Sequence, residues 1–213
     1  LLPPQIGDKL YKLSKIMIGD KNDFYRHLIS SWDNPNNVVL DGNEEKGLIW
    51  NNDFDSYTDD FSEKLKLIDS LTYLPDDILT KVDRASMAVS LEVRTPILDH
   101  RIIEFSWNLN KNLMLKGNKG KWILRQVLKN YLPESYYERP KMGFGVPINN
   151  WLRKDLKQWA EYLFSDKIFN KYEIFRKEEV LKKWKEHIDY KHDWHYPLWN
   201  ILMVHSWAEE YLN

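Results

Sequence analysis

The amino-acid sequence predicts a mainly α fold built as a single helical unit over residues 1–213, on three observations. Apolar residues recur at three- and four-residue intervals along most of the chain, the spacing that gathers them on one side of a helix. No block of alternating apolar and polar residues is long enough to build a sheet. Proline, glycine and asparagine collect at the ends of the periodic runs, where helices stop and start. With 213 residues, 43% of them hydrophobic, the chain can bury one ordinary core.

Taken in order, Ile6, Leu10, Leu13, Ile16 and Met17 form the first stripe, opened by Pro3 and Pro4 and stopped at Gly19. Phe24, Leu28 and Ile29 mark a short second helix. From Asp33 the turn formers Asn34, Pro35, Asn36, Asn37, Asp41, Gly42, Asn43 and Gly47 predict loop to about Asp55, with one helical turn. Phe61, Leu65, Ile68 and Leu71, behind Asp59 and Asp60, predict the next helix. Pro75 suits a first helical position, and Asp76 and Asp77 lie where the helix dipole favours negative charge. That helix bears the stripe Ile78, Val82, Ala85 and Val89, with Lys81, Asp83 and Arg84 between its members.

After Ser90, Leu91, Val93 and Thr95 alternate with Glu92 and Arg94, and Pro96 biases Thr95 away from helical backbone, so a short extended exit follows. The charges then form a seam between two elements expected to be buried. Asp99 is a suitable cap for a helix with Ile102, Ile103, Phe105 and Leu109. The basic, glycine-containing run Lys116 to Lys121 reads as an exposed turn ahead of the helix of Trp122, Leu124, Val127 and Leu128; a phosphate loop would need a preceding strand and a longer glycine pattern. Between Pro140 and Pro147, Gly143 and Gly145 bracket Phe144, so the backbone bearing Lys141 can rearrange without unravelling its neighbours. Three further helices are predicted: one from Asn150 with Trp151, Leu152 and Leu156, one with Val180, Leu181, Trp184 and Ile188, and a last one from near Pro197. On the last, Leu198, Ile201, Leu202, His205, Ala208 and Leu212 should line the inner side.

Composition narrows the function. The formal net charge is -1 and no long run of like charge occurs, which argues against nucleic acid or an anionic membrane as partner. No stretch reads as a transmembrane helix or a signal peptide. The absence of cysteine excludes disulfides and thiolate chemistry within these residues and is compatible with the cytoplasm. The 10 tryptophans and 12 tyrosines read as core and helix contacts, since no basic stripe accompanies them. His187, His192, Asp193 and His195 cluster in sequence, but a metal needs ligands that converge in space, and proximity alone reads as a wet helix connection. His205 reads as a packed histidine. No serine lies in a nucleophile elbow, and no carboxylate pair has a catalytic arrangement. The chain begins at Leu1 rather than Met, which points to processing or to a piece of a longer protein.

On periodicity alone the charges of Lys81 to Asp99 are a solvated face. The run KVDRASMAVSLEVRTPILDHR, Lys81 to Arg101, resembles the carboxy-terminal signature of glutamine-dependent asparagine synthetases of the bacterial B type. GNKGKWILRQVL (Gly117 to Leu128), RPKMGFGVPINNWLR (Arg139 to Arg153) and YPLWNILMVHSW (Tyr196 to Trp207) resemble later signatures of that family in the same order. The resemblance implies the helical carboxy-terminal portion of an adenine-nucleotide alpha-hydrolase-like, or ATP-pyrophosphatase, synthetase domain. It implies an enzyme that uses ATP and Mg2+ to turn a carboxylate, aspartate foremost, into an acyl adenylate, which glutamine-derived ammonia converts to the amide.

By this resemblance Lys141 matches the active-site lysine. A lysine suits the part: it is a compact charge on a flexible stem, able to meet phosphates and the charge of the transition state. Asp77 is the nearest match to an acidic residue that orders the reacting amine in the family. Asp83, Arg84, Glu92, Arg94 and Asp99 match signature positions, and their expected role is an ion-pair network holding the helix, its exit and the next helix in register. The family's SGGxDS loop, GEGxDE motif and amino-terminal glutaminase cysteine are not in the sequence. The expected partner is therefore an amino-terminal half bearing them, and the chain alone is expected to bind neither ATP nor Mg2+ and to make no amide. Amidation of another carboxylate, such as a polysaccharide sugar acid, ring closure as in β-lactam synthetases, and a stand-alone helical interaction module are the alternatives.

Overall fold

A computed structural model describes residues 14, 25–27, 29–44, 47–48, 54, 56–140 and 145–212. The first predicted stripe, most of the second, and Lys141 lie outside the described residues. The described chain is mainly helical, and it divides into two compact units where the sequence reading expects one: Leu1–Leu74 with Val146–Asn213, and Pro75–Gly145. No helix among the described residues is long and apolar enough to cross a membrane.

In the first unit, helix α1 spans Phe61–Leu71. The Asp60 carboxylate caps it by accepting from the Glu63 amide at 3.1 Å, while Thr58 Oγ1 donates to the Glu63 carboxylate at 2.8 Å. Its predicted stripe buries Ile68 against Tyr25 and Phe54, with Leu65 alongside; Leu71 stays exposed. The Tyr25 hydroxyl donates to Asp69, and burial followed by that carboxylate pushes its pKa up.

The second unit is a series of short elements. Its first residues belong to Tyr73–Leu79, which begins in the first unit and winds as a π-helix rather than the expected α-helix. Pro75 has no N–H for the α ladder, and its carbonyl instead receives the Thr80 hydroxyl five residues on, at 2.8 Å. Helix α2 (Thr80–Met87), a 3-10 turn (Pro96–Leu98), α3 (His100–Trp107) and α4 (Lys111–Met114) follow. A two-stranded antiparallel hairpin, β1 (Leu115–Lys116) and β2 (Lys119–Gly120), turns through Gly117 at φ +57°, so the predicted exposed turn carries a short β element that the helical reading did not contain. Helix α5 (Trp122–Leu128) and a 3-10 turn (Glu134–Tyr136) complete the unit. None of its described residues is buried. The stripe expected to be inside is outside: Val82 is 38% exposed and Val89 74%. These α-helices are four to eight residues long, too short for neighbours within the unit to close over an apolar stripe.

The rest of the first unit is a helical bundle of α6 (Ile148–Arg153), α7 (Lys157–Leu163), α8 (Asp166–Tyr172), α9 (Lys177–Ile188) and α10 (His195–Tyr211). The single helix expected from Asn150 is two, broken at Lys154, where the backbone leaves helical geometry. Helix α10 packs against all four others and buries Leu198, Ile201, Leu202, His205 and Ala208 as its periodicity predicts; Leu212 lies past its end and is exposed. Leu152, Leu163, Phe164, Phe169, Val180 and Trp184 complete the core. The predicted loop after Asp33 is tied to this core. Pro35–Asn37 form one 3-10 turn, Val38 is buried, and the backbone pairs with the segment around Phe175 through Leu40 N to Ile174 O at 2.9 Å and Arg176 N to Val38 O at 2.8 Å.

Candidate functional site

The predicted site residues are best followed from α2. One turn before it, Asp77 pairs with Lys81, an i,i+4 arrangement on one helical face. Asp83 and Arg84 lie on α2 itself and are exposed. The helix then ends in a Schellman motif. Leu91 N reaches Ser86 O at 3.0 Å, Ser90 N reaches Met87 O at 3.0 Å, and Ser90 adopts φ +57°. A serine stands where glycine is usual, which hides this stop from a reading that looks for glycine.

Leu91 to Thr95 form no helix or strand, and Thr95 is extended at φ -109° and ψ 95° ahead of Pro96. Arg94 Nε and Nη2 both donate to Glu92 Oε1 at 2.7 Å. Asp99 caps α3 by accepting from Arg101 N at 2.9 Å and grips the same residue's guanidinium at 2.8 and 2.9 Å. The Arg101 side chain, then its backbone N–H, hold the Asp99 carboxyl below the usual carboxylate range. Of the five residues expected to form one network, Glu92 meets Arg94 and Asp99 meets Arg101, each close by in the chain, and among the described contacts Asp83 and Arg84 join neither pair. Both pairs join residues two apart in the chain, so neither ties separate elements together.

A second group, whose role the sequence did not announce, lies ahead of Arg139 and Pro140. Arg125, on α5, donates from Nε to Gly120 O at 2.9 Å and from Nη1 to Tyr137 O at 3.0 Å and Glu138 Oε1 at 2.8 Å. Lys119 Nζ adds a 3.2 Å contact to the other Glu138 oxygen. Lys119 first, with Arg125 adding to it, holds the Glu138 carboxyl below its usual range against the opposing effect of burial. The available signal was that Arg125 falls inside the GNKGKWILRQVL signature.

In the first unit, the histidine cluster is partly interior. His187 is fully buried, not on a wet connection. Its Nδ1 lies 3.2 Å from Arg153 Nη2, 3.3 Å from Trp194 N and 3.5 Å from Asp193 Oδ1. Asp193 meets His195 Nδ1 at 2.7 Å and Asn149 Nδ2 at 2.5 Å. Burial works to raise the Asp193 pKa, but the contacts from His187, His195 and Asn149 outweigh it and hold the carboxyl well below its usual range. No group of three or more His, Asp or Glu among the described residues is disposed to hold a metal ion. His205 is packed as expected, donating from Nδ1 to Leu163 O at 2.9 Å between the rings of Phe169 and Phe175; burial lowers its pKa, opposed by that bond and by Glu209.

Residues 5–209 match the family model for asparagine synthase. The chain belongs to the asparagine synthase family. It is 31% identical over 152 residues to asparagine synthetase [glutamine-hydrolyzing] 1 of Bacillus subtilis, covering 71% of this chain and 23% of that relative. It is 39% identical over 98 residues to a putative asparagine synthetase [glutamine-hydrolyzing] of Mycobacterium bovis, covering 46% and 15%. The mouse asparagine synthetase [glutamine-hydrolyzing] is 29% identical over 150 residues, covering 64% and 26%. The chain thus spans about a quarter or less of the length of these relatives. No solved structure matches it.

Proposed function

We propose that this chain is the carboxy-terminal part of the synthetase domain of an ATP-dependent, glutamine-using amidotransferase acting in the cytoplasm, with aspartate as the carboxylate and asparagine as product. In the first half-reaction a carboxylate oxygen attacks the α-phosphorus of ATP and pyrophosphate leaves. In the second, ammonia attacks the acyl carbon, and AMP leaves with the electrons of the broken acyl–oxygen bond. The observation that supports this reading is the family match across residues 5–209, with RPKMGFG inside it.

Both half-reactions concentrate negative charge on phosphate oxygens, and a positioned ammonium lowers the cost of doing so. Lys141 is assigned that part, and Asp77 is assigned the ordering of the attacking amine. Asp83, Arg84, Glu92, Arg94 and Asp99 support the site by shaping the helix, its exit and the start of α3. The ATP-binding loop belongs to an amino-terminal part that is the chain's main partner. Neither the sequence nor the described residues provide a phosphate cradle or a cluster of carboxylates for Mg2+, so no step is assigned through a metal on this chain.

The test is the complete polypeptide with Lys141→Ala, assayed for pyrophosphate release and asparagine formation. Turnover should fall by about a hundredfold or more, the usual size for a lost electrostatic contact to the transition state, while the melting temperature holds. Unaltered synthesis in that variant refutes the assignment. Purified alone, the 213-residue chain should release no pyrophosphate from ATP.

A further inference from the structure

The hydrogen bonds of Arg125 point to a role beyond the site residues assigned above. Its guanidinium ties three places together: Gly120 at the end of β2, the backbone of Tyr137, and the Glu138 side chain, 13 residues along the chain from it. Tyr137 and Glu138 lead directly into Arg139, Pro140 and Lys141. No described residue of this unit is buried, so apolar packing does little to fix that stem. Orientation must come from directional bonds, and a planar guanidinium with donors on two edges can hold a carbonyl and a carboxylate at set angles.

We infer that Arg125 is a positioning residue of the synthetase reaction: with Glu138 and Lys119 it fixes the stem from which Lys141 is presented. This rests on the Lys141 assignment of the preceding section. Arg125 itself touches no substrate in this account and acts through the lysine. A partly exposed ion pair contributes little to global stability, so loss of Arg125 should spare the fold while misplacing the ammonium. A displacement of about 1 Å in a catalytic group can cost on the order of a hundredfold in rate.

The experiment is a double-variant cycle in the complete polypeptide: unaltered, Arg125→Met, Lys141→Ala, and both together. Arg125→Met should lower kcat by at least about tenfold with little change in KM for ATP, and it should add nothing to the loss already caused by Lys141→Ala. Arg125→Lys should not restore turnover, because one ammonium cannot serve Gly120, Tyr137 and Glu138 together. Glu138→Gln keeps the fold's shape and one acceptor, and should give a smaller kcat loss that also disappears when Lys141 is alanine. It decides the matter if Arg125→Met fails to fold. Losses that multiply across the cycle, or full activity in Arg125→Met, overturn the positioning role and leave the lysine assignment standing. Full activity in Lys141→Ala overturns both.

Discussion

Residues 75–140 and residues 146–212 are written in much the same language, with helical repeats of Leu, Ile, Val and aromatic side chains, and they bury them to opposite degrees. In the later region Leu152, Leu198 and Leu202 are wholly inside, and α10 is long enough, at 17 residues, to be covered by four other helices. In the earlier region the helices are half that length or less, and Ile78, Val82, Val89, Ile102 and Phe105 keep large exposed areas. Periodicity tells which residues share a face. Only length and neighbours determine whether that face is covered.

The sharpest way to break this comparison is to truncate one leucine or valine in each region. Leu202→Ala should cost about 2–5 kcal/mol, the usual range for a filled core position. Val82→Ala should cost less than about 1 kcal/mol, because little area is lost from contact. Urea unfolding followed by tryptophan fluorescence measures both, and equal losses would show that α2 is packed as firmly as α10. Native-state hydrogen exchange extends the test to the backbone: amides of α10 should exchange near the global unfolding free energy, and those of α2 and α3 through far smaller openings.

Acid should then act chiefly on the bundle. His205 is buried and neutral with its pKa lowered from 6.5, so the unfolded chain binds its proton first. Stability from this residue is present above that value and declines as pH falls below it. Thermal melting between pH 8 and pH 5 should show the decline, and His205→Gln should flatten it; an unchanged slope would remove His205 as its source. Glu209 gives a second and smaller effect. The hydroxyls of Tyr162 and Tyr172 and the Lys171 ammonium lower its pKa from 4.5 to about 2, so its contribution is present above 4.5 and lost as pH falls toward 2. Glu209→Gln should lower the melting temperature at pH 7 and leave it unchanged near pH 2.

The smallest effect tests the earlier region's own geometry. Ser90 sits at φ +57°, where a side chain costs energy that glycine avoids. Ser90→Gly should therefore raise stability by up to about 1 kcal/mol, in a unit where no described side chain is buried to gain from. A loss of stability would mean that the serine side chain has a partner that outweighs its strain.

Much of the bundle is legible in the sequence because an i, i+3, i+4, i+7 pattern also dictates its inner face: Leu198, Ile201, Leu202, His205 and Ala208 are where their spacing places them. The Asp99 cap and the extended backbone of Thr95 are equally local, set by a carboxylate near a free N–H and by Pro96. The π-winding at Pro75 and the stop at Ser90 are not legible in this way, since each depends on which carbonyl the nearby N–H and hydroxyl groups happen to reach. The single network expected of Asp83, Arg84, Glu92, Arg94 and Asp99 gives way, among the described residues, to the local pairs Glu92–Arg94 and Asp99–Arg101, because charge pattern gives sign and spacing but no partner.

By itself, then, the sequence determined helix identity, helix faces, several caps and, through its ordered signatures, the family. These depend on side chains within about one or two helical turns of each other, or on residue identity alone. The tertiary structure decided the rest: that apolar stripes of similar composition are buried in one region and exposed in the other, that His187 is interior, and that Arg125 holds the stem ahead of Lys141. Each of those depends on groups distant in sequence coming within a few ångströms, and no local pattern encodes that meeting.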